Sequence, residues 1–378
     1  MPVAEDYLLL GLRLGKHVHG LVDAYYGPED LKDAVDEEPP VHASELADDA
    51  SNLRDSLEDG WLRDQVHGLW TYARVLAGEE MSYSDEVEGC YGVRPRRTPE
   101  SVFEQAHAEL DELLPGEGSL LERRHAWRQR YAVSGERIVA ALEALLPLLR
   151  ERTGALTPLP SGESVALAAV TDEPWWAFNY YQGGFRSRVV VNTDVPTSPL
   201  DLIYLTGHEI YPGHHTEHAL KEHLLGVEER IQLVPTPQAV LSEGIAETGT
   251  DIVLDDAARE DAYEAVRRAG IEAPPLAVAL RLREAGRKLG TVSLNAALLV
   301  HEEGMSEDDA AEYVGRWSLR PFEEARRSVG FVVDPTWRAY SITYTAGEEL
   351  CARYVAGDPA RFRTLLTEQV RISELLSA

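Results

Sequence analysis

The chain has 378 residues, 44% hydrophobic and 27% charged, the balance of a globular protein able to bury a sizeable core. Lys and Arg number 36 against 65 Asp and Glu, a formal net charge of −29. Such a surface repels phosphates and argues against nucleic acid as a partner, and no run of about eighteen apolar residues marks a membrane span.

Met1 to Leu14 lacks a basic leader and carries Glu5 and Asp6, so it reads as an amphipathic helix of the mature protein, with the cytoplasm as the expected compartment. Leu46, Leu53, Leu57, Leu62 and Leu69 space a helical segment over 45–76. Thr98-Pro99-Glu100-Ser101 reads as a helix start, with a hydroxyl cap, a first-turn proline and an acid. That helix runs to Leu114, and another spans about Leu120 to Arg152. Cys90 and Cys351 have neither disulfide-framework nor thiolate-zinc spacing and read as small core residues.

Thr153 to Ser164 is rich in Gly, Pro, Thr and Ser. It divides the composition into an N-terminal helical region, 1–155, and a second region, 156–378, expected to form one integrated domain. Three short β-like runs follow: Val165–Val170, Trp175–Tyr181 and Phe185–Asn192. Ser198-Pro199-Leu200-Asp201 then starts a helix, and Ser306-Glu307-Asp308-Asp309 starts another. The expected fold is mainly α, with a small antiparallel sheet beside the helix that Ser198 starts.

From Gly207 the sequence reads Gly-His-Glu-Ile-Tyr-Pro-Gly-His-His-Thr-Glu-His. A zinc hydrolase helix presents two histidines one turn apart and a glutamate beside the first. Here His208 and Glu209 are in place, but the usual i+4 position is Pro212. Proline has no N–H and its ring clashes with the carbonyl four residues back, so the helix must bulge or break. A bulge at Tyr211-Pro212-Gly213 absorbs two residues and returns His214 toward the shared face. In an unbroken helix His214 would sit about 600° round from His208, while His215 returns to the face two turns away. Geometry alone leaves both open. Glu243, in Leu241-Ser242-Glu243-Gly244-Ile245-Ala246-Glu247, supplies an acidic third ligand, and Glu247 a group to orient a ligand histidine. His218 and His223 read as solvated, and the unpartnered pair His301-Glu302 as surface.

The stretch His208 to His215 resembles the HExxPGHH signature of a bacterial family catalogued as domain of unknown function 885, which is similar to gluzincin metallopeptidases. Ser242 to Ala246 resembles the Glu-Gly-x-Ala segment of that group. Without Tyr211-Pro212 the motif looks like the HExGH of carboxypeptidase Taq and the thimet oligopeptidase group. The resemblance implies a zincin-like fold, zinc as cofactor and His214 as second ligand. Thr343-Tyr344-Thr345-Ala346-Gly347 is similar to a carboxypeptidase Taq segment, implying that Tyr344 donates to a developing oxyanion.

The segment 185–192 is a candidate edge strand for an extended peptide, with Arg186 and Arg188 on one side to pair with a substrate carboxylate. Arg338 and Tyr340 are further candidates. The sequence thus predicts a zinc peptidase acting on short peptides, as monomer or homo-oligomer, with Glu209 as general base and then acid. A non-peptide amide or ester hydrolase, and a non-catalytic binder, are the alternatives.

Overall fold

A computed structural model describes residues 2–173 and 175–378. The fold is mainly helical, with two small sheets. Eight helices precede residue 157, from Pro2–Gly15 to Glu136–Leu156. Two expected long helices are each split. The 45–76 segment becomes Ala43–Ser56 and Trp61–Leu76, and the 120–152 segment becomes Leu120–Arg130 and Glu136–Leu156. At the second break Gly135 holds φ 65°, the left-handed region that glycine enters at little cost. The helix over 100–113 begins one residue later than the Thr98 signal implies. Thr98 does not cap it, because the Asn295 side chain takes both its N–H and its carbonyl, each at 2.8 Å.

The strands are β1 (Val22–Tyr25), β2 (Ser164–Val170), β3 (Ala177–Tyr181), β4 (Arg186–Asn192) and β5 (Ile231–Leu233). β2, β3 and β4 are the three runs expected from the sequence. Their sheet is mixed: β4 is central, parallel to β2 and antiparallel to β3. The expected edge is therefore corrected. β4 is buried between two partners, as Val189-Val190-Val191 suits, and β2 and β3 are the edges. β1 and β5 form a separate antiparallel pair that four- and three-residue runs did not announce.

Two apolar clusters meet at the site. One joins Tyr7, Leu8 and Leu69 to Leu241, Ile245, Cys351 and Leu375, so the first and last helices share a core, and both cysteines are buried. The other joins Ile138, Leu142 and Val189 to Leu202, Ile203 and Tyr263. Each fully buried Leu or Ile contributes roughly 1.5–3 kcal/mol, so the helices Pro199–Glu209 and Pro237–Val253 are anchored from opposite sides. Pro237–Val253 lies against Ile342–Val355 with almost no gap. A Cβ on Gly244 would sit 2.3 Å from the Gly347 carbonyl, and one on Gly347 would sit 2.3 Å from the Val240 carbonyl. Only glycine permits that approach, and it sets Glu243 beside Tyr340 and Tyr344.

Candidate metal centre

The His208 helix, Pro199–Glu209, starts as its sequence dictates. Ser198 Oγ accepts from Asp201 N at 3.1 Å and Pro199 occupies the first turn. It ends at Glu209, and a new helix, His214–Leu224, begins after Gly213. Between them the backbone ladder changes period. Gly213 N donates to Gly207 O at 2.8 Å and Thr216 N to Ile210 O at 3.2 Å, each six residues back instead of four. Two residues are thus looped out around Pro212. A Cβ on Gly213 would lie 1.8 Å from the His208 carbonyl, so the return path admits glycine alone.

This break brings His214 back beside His208, their rings perpendicular with centroids 4.7 Å apart. One ligand atom each from His208, His214 and Glu243 lies within 4.8 Å of the others. His208 Nε2 is 3.6 Å and His214 Nε2 3.9 Å from Glu243 Oε2. His215 points elsewhere. Its Nδ1 meets Ser187 Oγ at 2.8 Å and its Nε2 meets Glu163 Oε2 at 2.9 Å, so both ring nitrogens are taken.

The far sides of the two clustered rings fix their tautomers. His208 Nδ1 faces Glu247 Oε1 at 3.3 Å, an acceptor only, and must carry the proton. His214 Nδ1 lies 3.2 Å from Ser242 Oγ. Ser242 donates its own hydrogen to Glu217 Oε2 at 2.6 Å, so it accepts from His214. Glu217 is held in turn by Lys221 Nζ at 2.8 Å, an ion pair with both side chains 1% exposed. Both Nε2 atoms are left facing Glu243. Glu243 Oε1 accepts from Tyr340 OH at 2.8 Å, while its buried Oε2 has no hydrogen-bond partner among the described residues.

Electrostatics favour a cation at this point. Burial pushes the Glu243 carboxyl up to about 7, against the opposing pull of His208 and Tyr340. Burial also raises Glu209, with His208 opposing and Glu247 adding to the shift. His208 rises to about 10: burial disfavours its charge, but the Glu247 hydrogen bond and the charges of Glu247, Glu209 and Glu243 outweigh it, so without an ion its Nε2 holds a second proton, whose place a metal ion takes. His214 is lowered by burial and by His208 and His218. Two imidazole nitrogens and one carboxylate oxygen with an unmet lone pair form a donor set suited to zinc.

Glu209 is 6% exposed and no side chain hydrogen-bonds its carboxylate among the described residues. Its backbone carbonyl accepts from Asn179 Nδ2, on β3, at 2.5 Å. Tyr344, 42% exposed, stacks edge-on with Tyr340, centroids 5.6 Å apart. Desolvation and the charges of Glu243 and Glu209 raise its phenol well above the usual range, so it stays protonated.

Other sequence candidates do not join this group. Arg186 and Arg188 are exposed on the face of β4 opposite Ser187, whose hydroxyl meets His215, and so stand on the outer side of the sheet. Arg338 is bound to buried Glu86 at 2.5 Å. His301 is half-buried, its Nε2 2.7 Å from the Val332 carbonyl. His218 is 5% exposed, not solvated, and stacks on His214 with centroids 6.1 Å apart. Sequence reasoning also passed over Glu163, whose side chain is fully buried and bound by His215, Tyr211 and Arg150. It lies in the Gly/Pro-rich connection, where nothing marks one acid as structural.

No protein-family model and no curated protein matches the chain. Two solved structures share the fold. One is described as a "putative lipoprotein" from Colwellia psychrerythraea, with TM-score 0.52, 15% identity, and 87% of this chain aligned to 65% of that one. The other is a "putative lipoprotein of unknown function" from Shewanella oneidensis, with TM-score 0.51, 12% identity, 93% of this chain and 67% of that one. The chain thus spans about two thirds of their length. These findings overturn the family resemblance read from the motifs. Both neighbours are described only as "putative" lipoproteins, one of them of unknown function, and nothing matched supports membership in the domain of unknown function 885 family or the gluzincins. No helix among the described residues is long and apolar enough to cross a membrane.

Proposed function

We propose that the chain is a zinc-dependent hydrolase of short peptides, with the ion held by His208, His214 and Glu243. The observation that carries this reading is the convergence of two imidazole Nε2 atoms on the Glu243 oxygen that has no hydrogen-bond partner among the described residues. Zinc, when bound, acidifies a water and polarises a substrate carbonyl.

The chain's own groups supply the rest. Glu209, whose carboxylate is committed to no neighbour, takes a proton from the attacking water and passes it to the leaving amine. Asn179 holds the Glu209 carbonyl and so fixes the last helical turn in place. Tyr344 keeps its proton and offers it to the oxygen that gains charge. β3, one edge of the three-stranded sheet, packs against the two helices that carry His208 and His214 and presents a main chain for an extended peptide.

The test is to incubate the zinc-loaded chain with a defined peptide library and read the products by mass spectrometry. Cleavage by the wild type, with a large loss of rate in Glu209→Gln at unchanged zinc content, is the expected result. If the wild type cleaves nothing, or Glu209→Gln cleaves as fast, the reading fails.

A further inference from the structure

A crevice of about 510 Å³ opens at the start of the His208 helix, where Ser198, Pro199 and Asp201 form part of its wall. It is lined by five arginines, Arg124, Arg128, Arg283, Arg287 and Arg320, and by a single carboxylate, Asp201. In a chain of net charge −29 this concentration runs against the composition.

Two of the five are paired with carboxylates. Arg283 pairs with Asp201 at 3.3 Å and lies over the Tyr204 ring at 3.4 Å from its centroid. Arg287 pairs with Asp251 at 3.4 Å and with Glu348. Of the other three, Arg124 and Arg320 form no ion pair among the described residues, and Arg128 has only Glu324, at 4.0 Å. Arg124 gives one N–H to the Ser318 carbonyl. Burial, followed by repulsion from Arg128 and Arg320, pushes Arg124 down to about 10. Arg124 is half-buried and Arg128 and Arg320 stand exposed at the rim; three like charges held together without a full counter-charge are costly, and an entering anion offsets that cost. Beside them stand the aromatic side chains Trp127 and Tyr131, with ring centroids 4.8 Å apart. Trp176 closes the wall, its indole N–H already given to Thr197 Oγ1 at 2.9 Å.

We propose that this crevice binds a small aromatic anion, its phosphate or carboxylate head held by Arg124, Arg128 and Arg320 and its flat ring lying against Trp127 and Tyr131. Guanidinium forks match either head bidentately, and the aromatic wall selects a ring over a bare ion. The site stands apart from the metal ligands and does not depend on the hydrolase reading.

Isothermal titration calorimetry on the full chain at low salt tests this, with phenyl phosphate, phthalate, inorganic phosphate and benzyl alcohol as probes. Phenyl phosphate or phthalate, whichever head fits, is expected to bind at least tenfold tighter than inorganic phosphate, and benzyl alcohol not to bind. Affinity should be the same with and without EDTA. Arg128→Gln and Arg320→Gln, both at exposed positions, should each weaken binding at least tenfold while the circular dichroism spectrum is unchanged. Trp127→Leu should weaken the aromatic anion and spare inorganic phosphate. The proposal is overturned if neither aromatic anion binds, if inorganic phosphate binds as tightly, if EDTA abolishes binding, or if both arginine variants bind like the wild type.

Discussion

At the His208–His214–Glu243 cluster the far atom of each ligand is held: His208 by Glu247, His214 by Ser242, Glu243 by Tyr340. In the arginine crevice Arg124, Arg128 and Arg320 have almost no partners. The contrast separates two ways of leaving charge unmet. Held groups that point their remaining lone pairs at one spot specify a small cation. Free donors spread along a hollow specify a larger ligand of opposite sign. In the first case truncating a supporting residue loosens the site. In the second, truncating an arginine relieves repulsion and harms only the ligand.

That difference is open to direct attack. The largest expected effect is chemical: Glu209→Gln lowers peptide hydrolysis by about a thousandfold, within the range of general-base catalysis, with zinc content unchanged by atomic absorption. Next is Glu163, whose burial opposes ionisation but is outweighed by the bonds from His215, Tyr211 and Arg150, which hold its carboxyl at about 2 against an ordinary 4.5. A depressed carboxyl stabilises the fold above its unfolded value, so this contribution is complete above pH 4.5 and is lost as pH falls through 2. It amounts to about 3 kcal/mol at most. Urea unfolding across that window should show a shallower pH slope for Glu163→Gln; an identical slope would refute the assignment. Third, Ser242→Ala cuts the link between His214 and Glu217 and should weaken zinc binding about 10- to 100-fold in a competitive chelator titration. The smallest effect is on the other side of the comparison. Arg320→Gln without ligand should leave urea stability within about 0.5 kcal/mol of wild type, or raise it. A clear loss would mean the crevice arginines are structural supports.

Legibility in the sequence followed the range of the interaction. Ser198 and Ser306 start their helices because a cap and its partner lie three residues apart. The break at Pro212 was legible because proline's missing N–H is a local fact, and the six-residue ladder is its consequence. Glu243 was legible as an acid on a helix with Glu247 one turn on. The choice between His214 and His215 was not, since it turns on Ser187 and Glu163, which come from a strand and a loop far upstream. The same holds for β1 and β5, which exist by pairing across 206 and more residues of chain. Arg186 and Arg188 alternate as a strand requires, but only the contact of Ser187 with His215 shows that theirs is the outer face. Nor could any local pattern collect Arg124 and Arg320 into one hollow with Trp176.

Crystals grown with zinc chloride and measured on both sides of the zinc absorption edge test the central claim most directly. The account predicts one strong anomalous peak about 2.0–2.2 Å from His208 Nε2, His214 Nε2 and a Glu243 carboxylate oxygen. No peak at this cluster, or one bound by His215 in place of His214, would contradict it.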